Sequence, residues 1–286
     1  MSGPQEGGPK GVGPKAAAER GATAPGEVER LLACVLAREL RDTDIVAFGL
    51  HAELLLAAAL VAQRLHAPNL VLRHGLREER GAEIGPAAWT DNPRSRTHQL
   101  IEYVEQHDVI LDVASASPMR FCDVFLVGGM QIDREGSVNL IGIKGKDGRL
   151  AVRGPGSIGT TSIATLARRA ILFSPDHTPR RFVATVDYIS VPGWKRRATA
   201  GLEGGPILCV TPLAVMDFTD GAMHLRSVHG HTTLDEVRRR TGFPLSPDGP
   251  VPVTPPPTKS ESEALDIVDP FGRLAGLGFR ADGGDQ

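Results

Sequence analysis

Residues 44–73, DIVAFGLHAELLLAAALVAQRLHAPNLVLR, change their periodicity twice within one short stretch. Asp44–Gly49 (DIVAFG) is a brief apolar run closed by glycine, the pattern of a strand buried on both faces. Ala52–Leu65 then carries leucine and alanine over a helical length and closes at His66 and Pro68, since proline cannot continue a helix. Asn69–Arg73 (NLVLR) returns to a strand-like run. Strand, helix and strand in that order predict parallel pairing through a crossover, the unit of an α/β sheet covered on both faces.

The same alternation extends in both directions. Upstream, Val28, Leu31, Leu32, Val35, Leu36 and Leu40 fall at helical spacing behind Pro25. Downstream, Leu100, Ile101 and Val104 mark a helix face, Val109–Val113 (VILDV) a strand, and Asp123–Val127 (DVFLV) a strand that runs into Gly128-Gly129. Asp133–Gly136 (DREG) reads as a tight turn leading to a strand over Val138–Ile143, and Leu150–Arg153 is a further short run. Thr160–Arg169 is expected to be a helix capped by Thr160 or Thr161. Ala170–Ser174, Phe182–Ser190, Ile207–Val210 and Met223–Val228 are β-rich, and Thr233–Thr241 is a helix punctuated by Gly242. The expected class is α/β, an open, mixed, mostly parallel sheet with helices on both faces.

Composition bounds the rest. The chain has 286 residues, 41% hydrophobic and 23% charged, with 33 glycines and 22 prolines but no collagen-like period. Residues 1–26 hold seven glycines and four prolines and almost no bulky apolar group, so they read as a disordered tail without a secretory signal. Residues 27–243 form the expected domain. Residues 244–262 form a proline-rich linker, with seven prolines inside Pro244–Thr258, and 263–286 a C-terminal segment that docks in part through Leu265, Ile267, Val268, Phe271 and Leu274. No apolar run is long enough to span a bilayer. A net charge of -2 leaves no global basic field for nucleic acid. Cys34, Cys122 and Cys209 are too few and too far apart for a disulfide framework, which suits a reducing cytoplasm.

Several segments could carry chemistry. Val127–Asp133 (VGGMQID) places two glycines at a strand end, where ligands of open α/β sheets gather; it is either a ligand approach or a turn that needs positive φ. Asp133, Gly136 and Asn139 make turn chemistry. Arg153–Gly159 could offer the amides of Gly154, Gly156 and Gly159 to an anion or a carbonyl oxygen, or be an ordinary loop before a capped helix. His74–Gly85 (HGLREERGAEIG) follows a strand and carries Glu78, Glu79 and Glu83, either a nucleophile or base or a solvated charge cluster. His224, His229 and His231 lack a carboxylate or cysteine to complete a metal site, and none is expected. Lys195, Arg196 and Arg197 make a basic loop after Trp194 that either meets a phosphate or stays wet. Neither a P-loop nor a G-x-G-x-x-G after the first strand is present, which argues against nucleotidase and nicotinamide chemistry.

The order of these segments resembles the β-type subunit of the class I coenzyme A-transferase family. The likeness rests on Gly128–Asn139 (GGMQIDREGSVN), Arg153–Gly159 with its helix, Phe182–Ser190 (FVATVDYIS), and Cys209–Phe218 (CVTPLAVMDF) followed by His229–Phe243. The resemblance implies an α/β domain that pairs with a homologous α-type subunit in a heterodimer or heterotetramer. Its substrates would be an acyl-CoA thioester and a carboxylic acid, with no permanently bound cofactor, metal, nucleic acid or membrane. It also implies a glutamate on a loop after an early strand, which forms an acyl-glutamyl anhydride and then a glutamyl-CoA thioester.

In the family that loop is often S-E-N-G; here residues 73–79 read RHGLREE. By resemblance the nucleophile is therefore Glu79, or Glu78 from a shifted loop, with Gly128, Gly129, Gln131, Gly154 and Gly156 as the coenzyme-binding residues. Divergent relatives act as CoA-ester hydrolases or decarboxylases, and a noncatalytic subunit that only completes its partner is a further alternative. A sugar-phosphate isomerase would need an acid–base pair around a phosphate loop, which the sequence does not show.

Overall fold

A computed structural model of the chain describes residues 26–48, 53–74, 77–79, 122–157, 159–247 and 249–279. The chain begins with α1 (Glu27–Ala37), β1 (Ile45–Phe48), α2 (Glu53–Leu65), β2 (Val71–His74) and β3 (Arg77–Glu79). It continues through β4 (Val124–Gly128), β5 (Gln131–Asp133), β6 (Val138–Asn139), β7 (Gly142–Lys144), β8 (Leu150–Arg153) and α3 (Thr160–Leu166). Next come β9 (Arg169–Phe173), β10 (Phe182–Val183), α4 (Trp194–Thr199), β11 (Gly205–Val210), β12 (Ala214–Thr219) and β13 (Ala222–Val228). Two helices, α5 (Leu234–Arg239) and α6 (Lys259–Val268), and a 3₁₀ turn at Arg273–Leu277 complete it.

The main sheet has the order β13-β12-β11-β9-β4-β1-β2-β3. β2, β1, β4, β9 and β11 pair in parallel, while β3 at one edge and β12 and β13 at the other are antiparallel. The open, mixed, mostly parallel sheet read from the sequence is therefore the fold. From β1 the chain moves outward to β2 and later returns to lay β4 on the opposite flank, so the strand order reverses between β1 and β4.

Period-2 alternation in these strands supplies two cores. Val46, Phe48, Val124, Leu126, Ile171 and Leu208 face α1, α2 and α6, packing against Leu32, Leu36, Leu55 and Leu265. Ala47, Phe125, Val127, Ala170, Leu172 and Cys209 face the other way, toward Ile132, Val138, Ala164, Phe182 and Val237. The outer edge of β13 is closed by the proline-rich segment: Leu225 and Val228 donate their amides to Ser246 O and Pro252 O, and Thr254 returns its own to Val228 O. Prolines cannot donate onward, so pairing stops there.

Local readings depart from the structure at identifiable places. The predicted strand over Val138–Ile143 is split in two at Leu140-Ile141, ahead of Gly142 with φ 151°. Of Phe182–Ser190 only Phe182–Val183 is strand; the remainder crosses the β5–β6 hairpin and is pinned at single points, such as Ser190 N to Val138 O. β12 was not expected from the sequence. Arg77–Glu79, read as loop, is an edge strand. Lys195–Arg197 lies on a helix, and α3 starts from Gly159 at φ 70° with no threonine cap. The helix expected at 100–104 and the strand expected at 109–113 lie outside the described residues.

The C-terminal helix is fastened by charge. Arg38, at the end of α1, grips both carboxylate oxygens of Glu261 at 2.7 Å and donates to the carbonyls of Pro255 and Pro256. Glu261 also closes a capping box with Thr258. The guanidinium holds the Glu261 carboxyl down at about 2. Replacing Arg38 with Ala is expected to cost about 2 kcal/mol in urea unfolding, because the ion pair is only partly shielded from water.

Two histidines are buried without charge. The Thr241 hydroxyl donates to Val237 O, so it accepts from His177 Nε2, leaving Nδ1 to accept from Thr211. His229 donates from Nε2 to Thr211 O and accepts at Nδ1 from Thr254. Burial pulls His177 down to about 3, with Arg240 and His229 adding to the effect, and His229 down to about 4. The unfolded chain therefore binds more protons than the native one below pH 6.5. Stability is whole above 6.5 and is lost as pH falls toward 4, by about 2 kcal/mol per histidine at pH 5. Urea midpoints measured from pH 7.5 to 5 are expected to trace this decline, and His229→Gln, which does not titrate, to halve its slope.

Candidate functional site at the strand-order reversal

A ligand crevice in an open α/β sheet forms beyond the carboxyl ends of parallel strands where the strand order reverses. Here that point lies between the ends of β1 at Phe48 and β4 at Gly128. Residues 49–52, which follow β1, lie outside the described residues. Gly128-Gly129 follows β4 and opens the small sheet β10-β5-β6.

Neither Gly128 nor Gly129 adopts positive φ; the turn position that does so is Gly136, at 79°. Both glycines instead admit the protein's own chain. A Cβ on Gly129 would lie 2.2 Å from Val138 Cγ1 and 2.9 Å from Asn139 O, and one on Gly128 would lie 3.0 Å from the Phe173 ring. Arg181 donates to the Gly129 carbonyl at 2.9 Å while pairing with Asp176.

Behind this turn lies a buried amide network. Asn139, fully buried, donates to Gln131 Oε1 and Gly142 O at 2.7 Å, and accepts from the amides of Ile141 and Gly142. Gln131 accepts from Asp187 N and donates to Asp187 Oδ2, which also accepts from Lys144 N. The Gln131 amide is thus committed to holding the 187 loop. Asp133 accepts from the amides of Glu135 and Ser137, and burial raises its pKa. These residues shape the site from behind.

The loop 153–159 lies against the same turn. A Cβ on Gly154 would come 2.5 Å from Met130 Sδ and 2.3 Å from Leu140 O; Gly154 and Gly156 donate to Ile141 O and Leu140 O. Gly156 and Gly159 differ in kind from Gly154. Their φ values are 89° and 70°, and a Cβ on either would meet nothing within 4 Å. These two glycines set the backbone path beside open space, as a ligand-facing loop requires. The cations Lys144, Arg149 and Arg153 stand on the neighbouring β7–β8 ribbon, and Lys144 Nζ lies 4.8 Å from the Tyr188 ring centroid.

The structure therefore brings Gly128, Gly129, Gln131, Gly154 and Gly156 into one cluster. Glu78 and Glu79 lie elsewhere along the sheet, on β3, opposite Arg73 and Leu72 of β2. β2 and β1 separate them from the strand-order reversal, a gap of about 12 Å at ordinary strand spacing. Glu78 holds the register position one residue nearer the carboxyl edge.

Other candidates are accounted for inside the fold. Both nitrogens of His229 face protein atoms, and His231 meets Pro212 O at 2.8 Å. No group of three or more potential metal ligands occurs among the described residues. Arg197 is buried and donates to five carbonyls, so it is neither wet nor free for a phosphate. Nothing in the sequence separates it from its neighbours Lys195 and Arg196, and the burial of His177 was equally invisible there. Gly129→Ala is expected to lower stability by about 1–3 kcal/mol in urea unfolding through overpacking against Val138.

No family model matches the chain. In sequence it is similar to the β-type subunit of glutaconate CoA-transferase from Acidaminococcus fermentans, 27% identical over 239 residues, covering 76% of this chain and 83% of that one. It is also similar to the β-type subunit of 3-oxoadipate CoA-transferase from Pseudomonas knackmussii, 32% identical over 155 residues, 51% of this chain and 58% of that one. In fold it matches the crystal structure of the decarboxylase AibA/AibB with a TM-score of 0.68 at 23% identity, covering 87% of this chain and 98% of that one. The glutaconate coenzyme A-transferase of Acidaminococcus fermentans matches with a TM-score of 0.61 at 24% identity, covering 84% and 93%. Sequence and fold together place this chain with the β-type subunits of the class I coenzyme A-transferase family.

Proposed function

We propose that the chain is the β-type half of a two-subunit enzyme that moves coenzyme A between carboxylic acids. The observation that carries this reading is the glycine cluster at the strand-order reversal, with open space beside Gly156 and Gly159, in a chain related to the β-type subunits of two CoA-transferases. The partner is a homologous α-type subunit, and the crevice is completed where the two meet. Among the described residues no helix is long and apolar enough to cross a membrane. Three buried thiols that form no disulfide fit a cytoplasmic setting.

The chemistry assigned to the chain is two-step acyl transfer. A glutamate carboxylate attacks the acyl-CoA carbonyl, forming a mixed anhydride and releasing the CoA thiolate. The thiolate then attacks the glutamyl carbonyl, giving a glutamyl-CoA thioester and the free carboxylic acid. A second carboxylate reverses the sequence and leaves as the new thioester. Splitting the exchange in this way replaces one difficult substitution by two easier ones. The developing oxyanion needs donors, and amides of the 153–159 loop are the candidates. Glu79 and Glu78 are the candidate nucleophiles, and the register favours Glu78, which stands nearer the carboxyl edge.

A second reading, a decarboxylase or hydrolase on the same fold, is favoured by one observation. The expected S-E-N-G loop is absent, and Arg77–Glu79 is paired as an edge strand.

Borohydride trapping separates the readings. The assembled complex incubated with acyl-CoA and reduced is expected to carry a reduced glutamyl thioester at Glu78 or Glu79, located by peptide mapping. The corresponding Glu→Gln change is expected to lower turnover by about a thousandfold. An unmodified chain that still consumes acyl-CoA, with both glutamine variants fully active, overturns the transferase mechanism and leaves the second reading.

A further inference from the structure

We infer that Arg197 is a positioning residue for the coenzyme-binding loop, holding residues 156–160 in place through α3 without touching the ligand. The inference rests on the reading of that loop as the thioester-binding element. It begins from a buried cation whose partners, among the described residues, are all carbonyls. Arg197 is 1% exposed. Its Nε donates to Gly204 O at 2.9 Å and its Nη1 to Ala164 O at 2.7 Å. Its Nη2 donates to Thr165 O, Ala167 O and Glu203 O. Three of these acceptors form the C-terminal end of α3, where helix carbonyls lack intrahelical partners and a cation is favoured.

The grip matters because α3 has little else to hold it. Of its seven residues only Ala164 is buried. The loop before it is tied at its start, where Gly154 and Gly156 donate to Ile141 and Leu140. Gly156 and Gly159, by contrast, have open space beside them. The loop is thus suspended between two backbone bonds on one side and a short helix on the other, and that helix is anchored at its far end by one guanidinium. Lysine keeps the charge but has three donors on one atom. It cannot reach the α3 carbonyls and the 203–204 turn together.

The test uses the full chain assembled with its partner, comparing the unaltered protein with Arg197→Lys. Amide exchange over 154–166 is expected to quicken while β9 and β11 keep their protection, and added coenzyme A to restore the slow exchange. KM for acyl-CoA is expected to rise about tenfold with kcat changed less than about twofold, because the loop's order is lost and not the reacting groups. A lower melting temperature with KM and exchange over 154–166 unchanged would show that Arg197 serves only global stability, and the inference fails.

Ala164→Gly loosens the same end of α3 without disturbing the buried charge, and covers the case in which the lysine variant does not fold. It is expected to raise KM in the same direction; an unchanged KM there overturns the inference. If the unaltered complex neither binds nor turns over acyl-CoA, the proposed function fails. The exchange comparison still decides whether Arg197 holds the loop.

Discussion

The buried amide of Asn139 ties more of the site together than any other single group. It reaches Gln131, Ile141 and Gly142 at once, and the backbone carbonyl of the same residue accepts the amide of Met130. A fully buried amide is costly unless its donors and acceptors are matched. Meeting that demand brings the end of β5, the break after β6 and the start of β7 to one point. Gly129 can then lie against Val138 only because it has no side chain. The turn after β4, the loop 153–159 and the 187 segment are all placed relative to this one residue.

The same principle operates at a second buried location. His177 and His229 each satisfy both ring nitrogens with threonine hydroxyls and a carbonyl, so they stay neutral in a dry environment. Through Thr211 and Thr254 they connect β11, the turn before β12 and the proline-rich segment along β13. Where a charge is buried, as at Arg197, it is surrounded by carbonyls aligned at a helix end. Polar groups inside this protein hold backbone segments in position, and the apolar alternation of the strands does the bulk packing.

This division explains why the candidate site is asymmetric. The glycine cluster is backed by interlocking hydrogen bonds and belongs to the sheet's central reversal. The two glutamates stand on an edge strand, joined to the rest of the sheet through one neighbouring strand. A thioester that reached from one to the other would span β1 and β2, along the edge where all the parallel strands end. Such a site has one rigid wall in this chain, and a partner subunit is the natural source of the opposite wall.

The alternation in residues 44–73 determined the α/β class, because an apolar strand, a helix and an apolar strand bury their faces in only a few ways. The spacing around Gly128–Asn139 likewise determined a strand end and a turn, since glycine, aspartate and asparagine act there through bonds within a few residues. Tertiary structure alone decided which glycines face open space. Gly129 and Gly154 are filled by Val138, Asn139, Leu140 and Met130, while Gly156 and Gly159 are not. It also decided that Arg197 is buried beside Lys195 and Arg196, which are not, and that β12 is a strand. Each of these depends on what arrives from distant parts of the chain, and no local pattern encodes the neighbour that fills a space or accepts a proton.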